Sequence, residues 1–142
     1  MSKGAAFDSA SDIALLLIRL VVGGSLLIFH GWGKITGGPE RWHSLGTEMG
    51  NLGVTFLPVF WGFMGAFAES GGAVLAALGL LFRPAAFLVA FTMAVAVVHH
   101  MTLPPGDPSA GWKAASHALE LCAVYTGLLL SGPGRYRLVP SD

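Results

Sequence analysis

The chain has 142 residues, of which 54% are hydrophobic and only 11% are charged, whereas an average soluble domain carries about 25% charged residues. The 8 Lys and Arg side chains balance 8 Asp and Glu side chains, so no basic surplus is available to bind a nucleic acid. The single cysteine, Cys122, excludes an internal disulfide, a Cys-x-x-Cys redox pair and a Cys-based zinc or iron–sulfur site within this chain. This composition predicts an integral membrane protein.

Four apolar segments are each close to the roughly 20 residues that a helix needs to cross a bilayer. They run over about residues 12–32, 58–81, 84–101 and 112–131. Ser11 or Asp12 is the expected N-cap of the first helix, and Pro58 and Pro84 suit the first turns of the second and third. We therefore predict one all-α membrane domain over residues 1–142, an integral membrane four-helix bundle.

The only long polar stretch connects the first two spans. Within it Trp42, Leu45 and Met49 recur at helical spacing, which predicts a short amphipathic helix lying in the membrane interface. The tryptophans fall at predicted span boundaries, where they are expected to anchor the protein in the interface. These residues are Trp32, Trp42, Trp61 and Trp112.

Orientation is predicted from the lysines and arginines of the short loops. One side of the membrane receives Lys3, Arg83, Arg135 and Arg137, and the other receives Lys34, Arg41 and Lys113. This imbalance favours a multi-pass protein with both termini in the cytoplasm.

The second span carries its small residues and its one carboxylate on a single stripe. At alternating steps of three and four, the stripe reads Gly62, Gly65, Glu69, Gly72, Ala76, Gly79 and Arg83. Small residues let helices approach closely in lipid, so Glu69 is expected to face the interior of the bundle.

The other spans show the same grouping. At about 100° per residue, the first span places Arg19, Gly23, His30 and Lys34 in one sector. The fourth places Lys113, His117, Glu120, Val124, Gly127 and Ser131 on one stripe, with Cys122 opposite Glu120 and Tyr125 off the stripe. Helix rise predicts Arg19 and Glu69 near the bilayer middle. It predicts a polar cluster toward the long loop, formed by His30, Lys34, His99, His100, Lys113, His117 and Glu120.

Ionisable groups inside a membrane are functional candidates because burying them is costly. Glu69 has two interpretations: a buried ion pair with Arg19 that locks the bundle, or an unpaired carboxyl that exchanges protons with a quinone or another lipophilic substrate. Lys34 and Arg41 are expected to meet lipid phosphate or to cap the first loop.

The histidines also allow more than one interpretation. His99 and His100 end a helix, where a cationic ring favours the helix dipole and the loop carbonyls. Alternatively, His30 or His100 donates to a quinone carbonyl while Glu120 or Glu69 moves the proton. His117-x-x-Glu120 places two potential metal ligands on one face, but only one such pair exists and its order is reversed relative to carboxylate-bridged metal bundles, so no metal ligand is predicted.

Three motifs carry a resemblance to a known family. They are "RLVVGGSLLIFHGWGKITGG", "AESGGAVLAALGLLFRPAAFLVAFTMAVA" and "ALELCAVYTGLLLSGPGRYRL". In this order they resemble the Arg, Gly, His-Gly-x-x-Lys first helix, the central Glu, Gly-Gly, Gly-Leu, Arg pattern and the Gly-Pro-Gly-Arg ending of the DoxX family of small four-span bacterial membrane proteins. The resemblance covers about residues 12–138 and departs only at Arg137-Leu138-Val139, where the family usually continues with Ser-Leu-Asp.

The resemblance implies membrane redox chemistry. Members are associated with a thiosulfate:quinone oxidoreductase and with systems that respond to oxidative and thiol stress. The polar positions of this chain that match the family are Arg19, His30, Lys34, Glu69, Arg83 and Arg135.

We therefore expect a component of a larger oxidoreductase or respiratory-type complex in the bacterial inner membrane that interacts with quinone or quinol. The expected catalytic residues are Glu69, His100 and Glu120. The expected substrate-binding residues are Arg19, His30, Lys34, His99 and His117. The head group is expected in a pocket formed by His30, Glu69, His100, His117 and Glu120.

No covalently bound cofactor is expected, so a partner subunit must supply the electron carrier. Two alternatives remain: a non-catalytic subunit or assembly factor whose polar residues fix helix register, and a small-molecule or metal transporter. No inverted repeat supports the transporter.

Overall fold

The computed structural model describes the backbone of residues 3–139 and the side chains of residues 9–139. Every regular element in this part of the chain is helical. Four helices are long and apolar enough to cross a membrane: span 1 (Ser9–Ile35), span 2 (Pro58–Leu78), span 3 (Phe82–Thr102) and span 4 (Trp112–Ser131). The predicted all-α four-span membrane bundle is confirmed.

Span 1 belongs to one continuous helical run. It comprises α1 (Lys3–Leu26), a π turn (Leu27–Gly31) and α2 (Trp32–Ile35). The predicted N-cap at Ser11 or Asp12 is wrong, because the helix begins a full two turns earlier. Asp12 instead accepts a hydrogen bond from the backbone N–H of Arg135 at 2.8 Å and pairs with the guanidinium of that residue at 3.3 Å.

Span 2 is interrupted in the same way as span 1. It comprises α4 (Pro58–Phe67), a π turn (Ala68–Gly72) and α5 (Ala73–Leu78). Pro58 lies in the first turn of α4 as predicted. Gly79 ends α5 with a φ of 73°, a left-handed conformation that glycine adopts without a steric penalty.

Spans 3 and 4 are the uninterrupted helices α6 (Phe82–Thr102) and α7 (Trp112–Ser131). The backbone N–H of Gly111 donates to the carbonyl of His100 at 2.9 Å. This bond closes the loop between the two helices and holds the start of span 4 beside the end of span 3.

The predicted short helix is present as α3 (Gly38–Gly46), followed by a 3-10 turn (Thr47–Leu52). It packs on the first half of span 2, so closely that a Cβ on Gly62 would overlap the backbone carbonyl of Trp42. The Trp42 ring packs edge-on against Phe63, with ring centroids 5.0 Å apart. Trp42 and Trp61 are half-buried and take part in helix packing, whereas Trp32 and Trp112 are exposed.

Alanines dominate the core between the spans. Those on spans 2 and 3 with almost no exposed surface are Ala66, Ala68, Ala73, Ala76 and Ala86. Small side chains let the helix backbones approach, and the resulting close contact stabilises helix association in lipid. The small-residue stripe of span 2 thus faces the bundle interior, as predicted.

Span 4 is rotated relative to the prediction. Its buried face carries Ala115, Ala118, Leu121, Tyr125 and Leu128. The polar residues predicted to point inward flank this face and lie on the exposed side. Tyr125, which lies off the predicted stripe, is 1% exposed and belongs to the core.

Candidate functional site

A buried ion pair between Lys34 and Glu69 lies at the centre of the polar cluster. The Lys34 ammonium donates to Oε1 of Glu69 at 2.7 Å and to Oε2 at 2.8 Å. Glu69 is only 4% exposed, and hydrogen bonds between two ionised groups are about twice as strong as neutral ones. Both predicted states of Glu69, paired with Arg19 or unpaired, are wrong, as is the predicted contact of Lys34 with lipid phosphate or as a loop cap.

The two π turns bring these side chains together. Gly31 in the π turn of span 1 lies so close to the π turn of span 2 that a Cβ would overlap the Glu69 carbonyl. Each π turn rotates the helix that follows it, and such turns occur frequently at functional sites. The closest approach of spans 1 and 2 is therefore at the ion pair.

Two cavities share the ion pair in their walls. The larger, here the apolar cavity, has a volume of about 350 Å³ and lies between spans 2 and 3 under α3. Its aromatic side chains are Phe60, Trp61, Phe87 and Phe91, and its polar end is formed by Lys34, Glu48 and Glu69. Phe60, Phe87 and Phe91 are exposed on the outer surface of the bundle, so the cavity opens toward the lipid.

Trp61, a residue of the cavity wall, carries a hydrogen-bond donor without a partner. Its indole Nε1–H is buried and has no acceptor among the described residues. A buried donor without a partner costs about 1–3 kcal/mol.

Glu48 belongs to the same site and was not among the predicted residues. It lies on the 3-10 turn, outside the spans, and lines the apolar cavity. Burial raises the pKa of its carboxyl, while the positive charges of His99 and Lys34 act in the opposite direction. At 100° per residue Glu48 lies about 60° from Leu45, beside the apolar face of the predicted amphipathic helix and not on it, so the sequence pattern does not single it out.

The second space, here the histidine cavity, has a volume of about 160 Å³ and lies between spans 1, 3 and 4. Its polar wall is formed by His30, Lys34, Glu69, His100 and His117. Thus His30, Glu69, His100 and His117, four of the five residues predicted to form the head-group pocket, meet around one cavity.

The histidines of this cavity are held in different ways. His30 and His117 stack with ring centroids 4.9 Å apart and planes inclined by 28°. His100 donates its Nδ1–H to the Ser109 carbonyl over a distance of 2.7 Å, because a carbonyl oxygen can only accept. His100 therefore connects the cavity to the loop before span 4.

His99 lies apart from this cavity. Its Nδ1 is 3.2 Å from the Asn51 amide nitrogen on the 3-10 turn, and neither cavity includes it in its wall. Adjacent residues on a helix point about 100° apart, so His99 faces the 3-10 turn while His100 faces the loop before span 4.

Arg19 lies at the opposite end of the bundle from the predicted site. It is 2% exposed and donates to the carbonyls of Ala77, Pro133 and Tyr136. Residues after span 4 fold back over this end, where the backbone N–H of Leu138 also donates to the Leu78 carbonyl at 3.2 Å, so the structure does not bring Arg19 together with the other predicted site residues. Arg19 holds this returning segment in place.

Glu120 is the third predicted site residue, after His99 and Arg19, that the structure separates from the cluster. It is exposed on span 4 and lines neither cavity. The cause is the rotation of span 4, which places Cys122 on the inner side, where its thiol donates to the Ala90 carbonyl at 3.5 Å. Across the described part of the chain, no three His, Cys, Asp or Glu side chains are grouped so as to hold a metal ion.

Comparison with known proteins supports the resemblance seen in the sequence. The family model for DoxX matches residues 14–101, which is more than half of the chain and includes Arg19, His30, Lys34 and Glu69. No curated protein and no solved structure matches the chain. The match to the family model shows that the chain belongs to the DoxX family.

Proposed function

We propose that the protein is a membrane redox component that binds quinone or quinol in the apolar cavity. The observation that carries this proposal is a lipid-facing cavity of about 350 Å³ that ends on the buried Lys34–Glu69 pair. Ligand pockets commonly measure about 300–1,000 Å³ and combine apolar walls with few polar groups. A quinone has the matching shape, with a polar ring and an apolar tail that extends into the bilayer.

The polar end of the cavity offers both kinds of hydrogen-bonding partner. The Lys34 ammonium donates to a quinone carbonyl oxygen. The Glu69 carboxylate, held by Lys34, accepts a proton from a quinol hydroxyl. The aromatic rings of Phe87 and Phe91 pack against the ring and the first part of the tail.

Oxidation of a quinol releases two electrons and two protons. The electrons pass to an electron acceptor carried by a partner subunit, which makes the protein part of a larger oxidoreductase complex. The protons leave from Glu69 through the histidine cavity, whose wall joins Glu69 to His30 and then to His117 and His100. This assigns proton movement to Glu69 and His100, and ligand or proton contacts to His30, Lys34 and His117.

The setting is the bacterial inner membrane with both termini in the cytoplasm. Lys34 is bound to Glu69 inside the bundle and no longer counts as a loop charge. The side of the termini keeps four positive residues, whereas the other side keeps only Arg41 and Lys113. The excess on the side of the termini is therefore larger without Lys34.

Quinone bound to the purified protein tests the proposal. A Leu at Gly65 would fill the apolar cavity, because the position lines it and the nearest atom to a Cβ there is Cγ2 of Thr92 at 3.7 Å. After mild detergent extraction, mass spectrometry should find quinone with the parent chain and at least tenfold less with Gly65→Leu. Gly24→Leu on span 1, where a Cβ meets no atom within 4 Å, is the matched control and should retain quinone. Equal amounts with all three chains, or none with any, would contradict the proposal.

The Lys34–Glu69 pair also favours a second function, a non-catalytic subunit in which the pair locks helix register. The two functions differ in what Glu69→Gln and His100→Ala change. Under the redox function, quinone-dependent turnover falls at normal protein abundance in native membranes. Under the structural function, abundance or complex assembly falls and turnover per assembled complex stays the same.

A further inference from the structure

Span 4 presents polar residues on the outside of the bundle. We define the polar stripe as the exposed residues Lys113, Ser116, His117, Glu120, Gly127 and Ser131. At about 100° per residue they fall within a sector of about 100°. They form one continuous face, adjacent to the buried face of the same helix.

This face is poorly suited to contact with lipid. Glu120 follows Trp112 by eight residues, which places it about 12 Å along the helix axis and near the middle of a hydrocarbon core about 30 Å thick. Within residues 9–139, Glu120 makes no hydrogen bond or ion pair. A charged side chain near the bilayer centre costs on the order of 3 kcal/mol, so a protein surface is the stable neighbour for this face.

We propose that the polar stripe is the interface with a second copy of this chain. The stripe carries both acidic and basic side chains, because Lys113 and His117 lie on the same face as Glu120. A second copy of the same stripe therefore offers basic partners to this carboxylate. Two copies with the same orientation in a membrane are related by a twofold axis along the membrane normal, which places equivalent residues at equal depth. Each Glu120 then lies one helical turn from His117 of the second copy, within reach of its ring.

The deeper half of the stripe allows the two helices to approach. No atom lies within 4 Å of the position that a Cβ on Gly127 would occupy, and Ser131 follows one turn later on the same face. A small residue followed four positions later by another is typical of closely packed membrane helices. The apolar outer residues of span 1, such as Leu17, Val21 and Ile28, need no such partner because acyl chains cover them.

The interface also bears on the histidine cavity. His117 belongs both to the polar stripe and to the wall of that cavity. The second copy therefore covers the outer side of the His30–His117 stack and leaves His100 as the group nearest the loop. The proposed dimer stands independently of quinone binding, because no contact of the apolar cavity contributes to it.

Self-association in lipid tests the proposal. Energy transfer between labelled copies in proteoliposomes, measured as protein is diluted into lipid, should yield a dimer for the parent chain. Gly127→Leu, which blocks close approach, and Glu120→Leu, which removes the carboxylate, should each raise the dissociation constant at least tenfold. Gly24→Leu is the matched control, because a Cβ at Gly24 on span 1 also meets no atom within 4 Å, and it should leave the constant unchanged.

Thermal unfolding midpoints establish that the variants are folded, and crosslinking identifies the neighbour of the stripe. With Cys122 replaced by Ser, Ser116→Cys should form a crosslink between two copies of the chain in native membranes. A chain that stays monomeric at every dilution, a dimer that Gly127→Leu does not weaken, or a crosslink from Ser116→Cys only to a different protein would each overturn the proposal.

Discussion

At the scale of single residues, the Lys34–Glu69 pair decides what the site can do. It supplies a donor and an acceptor within 2.8 Å of each other at the junction of the two cavities. From helix rise and the angle per residue, the sequence predicted both residues on inward faces but at different depths. Glu69 was expected near the bilayer middle and Lys34 toward the long loop. The actual register is set by Gly31, which brings the end of span 1 level with Glu69.

Removing one partner of this pair should destabilise the fold. Lys34→Met or Glu69→Gln leaves the other group buried without its counter-charge, which typically costs about 3–5 kcal/mol of unfolding free energy. The double variant Lys34→Met with Glu69→Met should lose less than either single change, because no unpaired charge remains. Reversible unfolding in bicelles measures the unfolding free energies of the parent chain, the two single variants and the double variant. Additive losses would show that the two side chains do not interact.

Glu48 should make stability depend on pH. Because burial raises its pKa in the folded state above the usual 4.5, its stabilising effect is complete below pH 4.5 and is lost as the pH rises through the higher folded pKa. The charges around this carboxyl are His99, Lys34 and His100, which lower its pKa, and Glu69, which raises it. Glu48→Gln should therefore be more stable than the parent chain at pH 7 and lose this advantage at pH 4.

Thermal midpoints across this pH range measure the effect. Glu40→Gln, which removes an exposed carboxylate from α3, is the control and should leave the slope unchanged. A Glu48→Gln variant with the same pH slope as the parent chain would contradict the assignment.

At the scale of helices, the π turns and glycine contacts determine how spans 1 and 2 pack. Gly31 and Gly33 lie two residues apart in span 1, but a Cβ overlaps the Glu69 carbonyl only at Gly31 and meets no atom within 4 Å at Gly33. Hydropathy identifies both helices but carries no signal for a π turn. The rotation that each π turn adds is therefore absent from a calculation at a constant 100° per residue.

These two glycines give a matched comparison. Gly31→Ala should lower the unfolding free energy by about 1–3 kcal/mol, as overpacking of a close contact does. Gly33→Ala should raise it by up to about 1 kcal/mol, since alanine favours the helix more than glycine does. Chemical unfolding of both variants in one detergent provides the measurement, and equal effects would mean that the two π turns are not in close contact.

At the scale of the whole molecule, the parts predicted from sequence are those that depend on composition and helix period. Four spans, the short helix after span 1 and the inward stripe of span 2 follow from hydropathy and small-residue spacing. The meeting of His30, Glu69, His100 and His117 around one cavity also follows, because turns and the bilayer restrict how four helices can pack.

The predicted site residues that lie apart from the cluster do so for different physical reasons. The prediction assumed that every ionisable residue in a span faces the bundle interior, which holds for Arg19 but not for Glu120. Arg19 is satisfied by backbone carbonyls of the returning segment after span 4. Glu120 faces outward. The second copy of the chain that we propose against this face cannot be read from a single sequence.

The central claim is that the apolar cavity binds a quinone against Lys34 and Glu69. Trp61 lies in the wall of that cavity, so equilibrium binding of a short-chain quinone can be followed by quenching of its fluorescence. The account predicts saturable quenching in the parent chain and in Gly24→Leu, loss of that component in Trp61→Phe, and a dissociation constant at least tenfold higher in Gly65→Leu. Quenching that never saturates, or a dissociation constant that Gly65→Leu leaves unchanged, would contradict it.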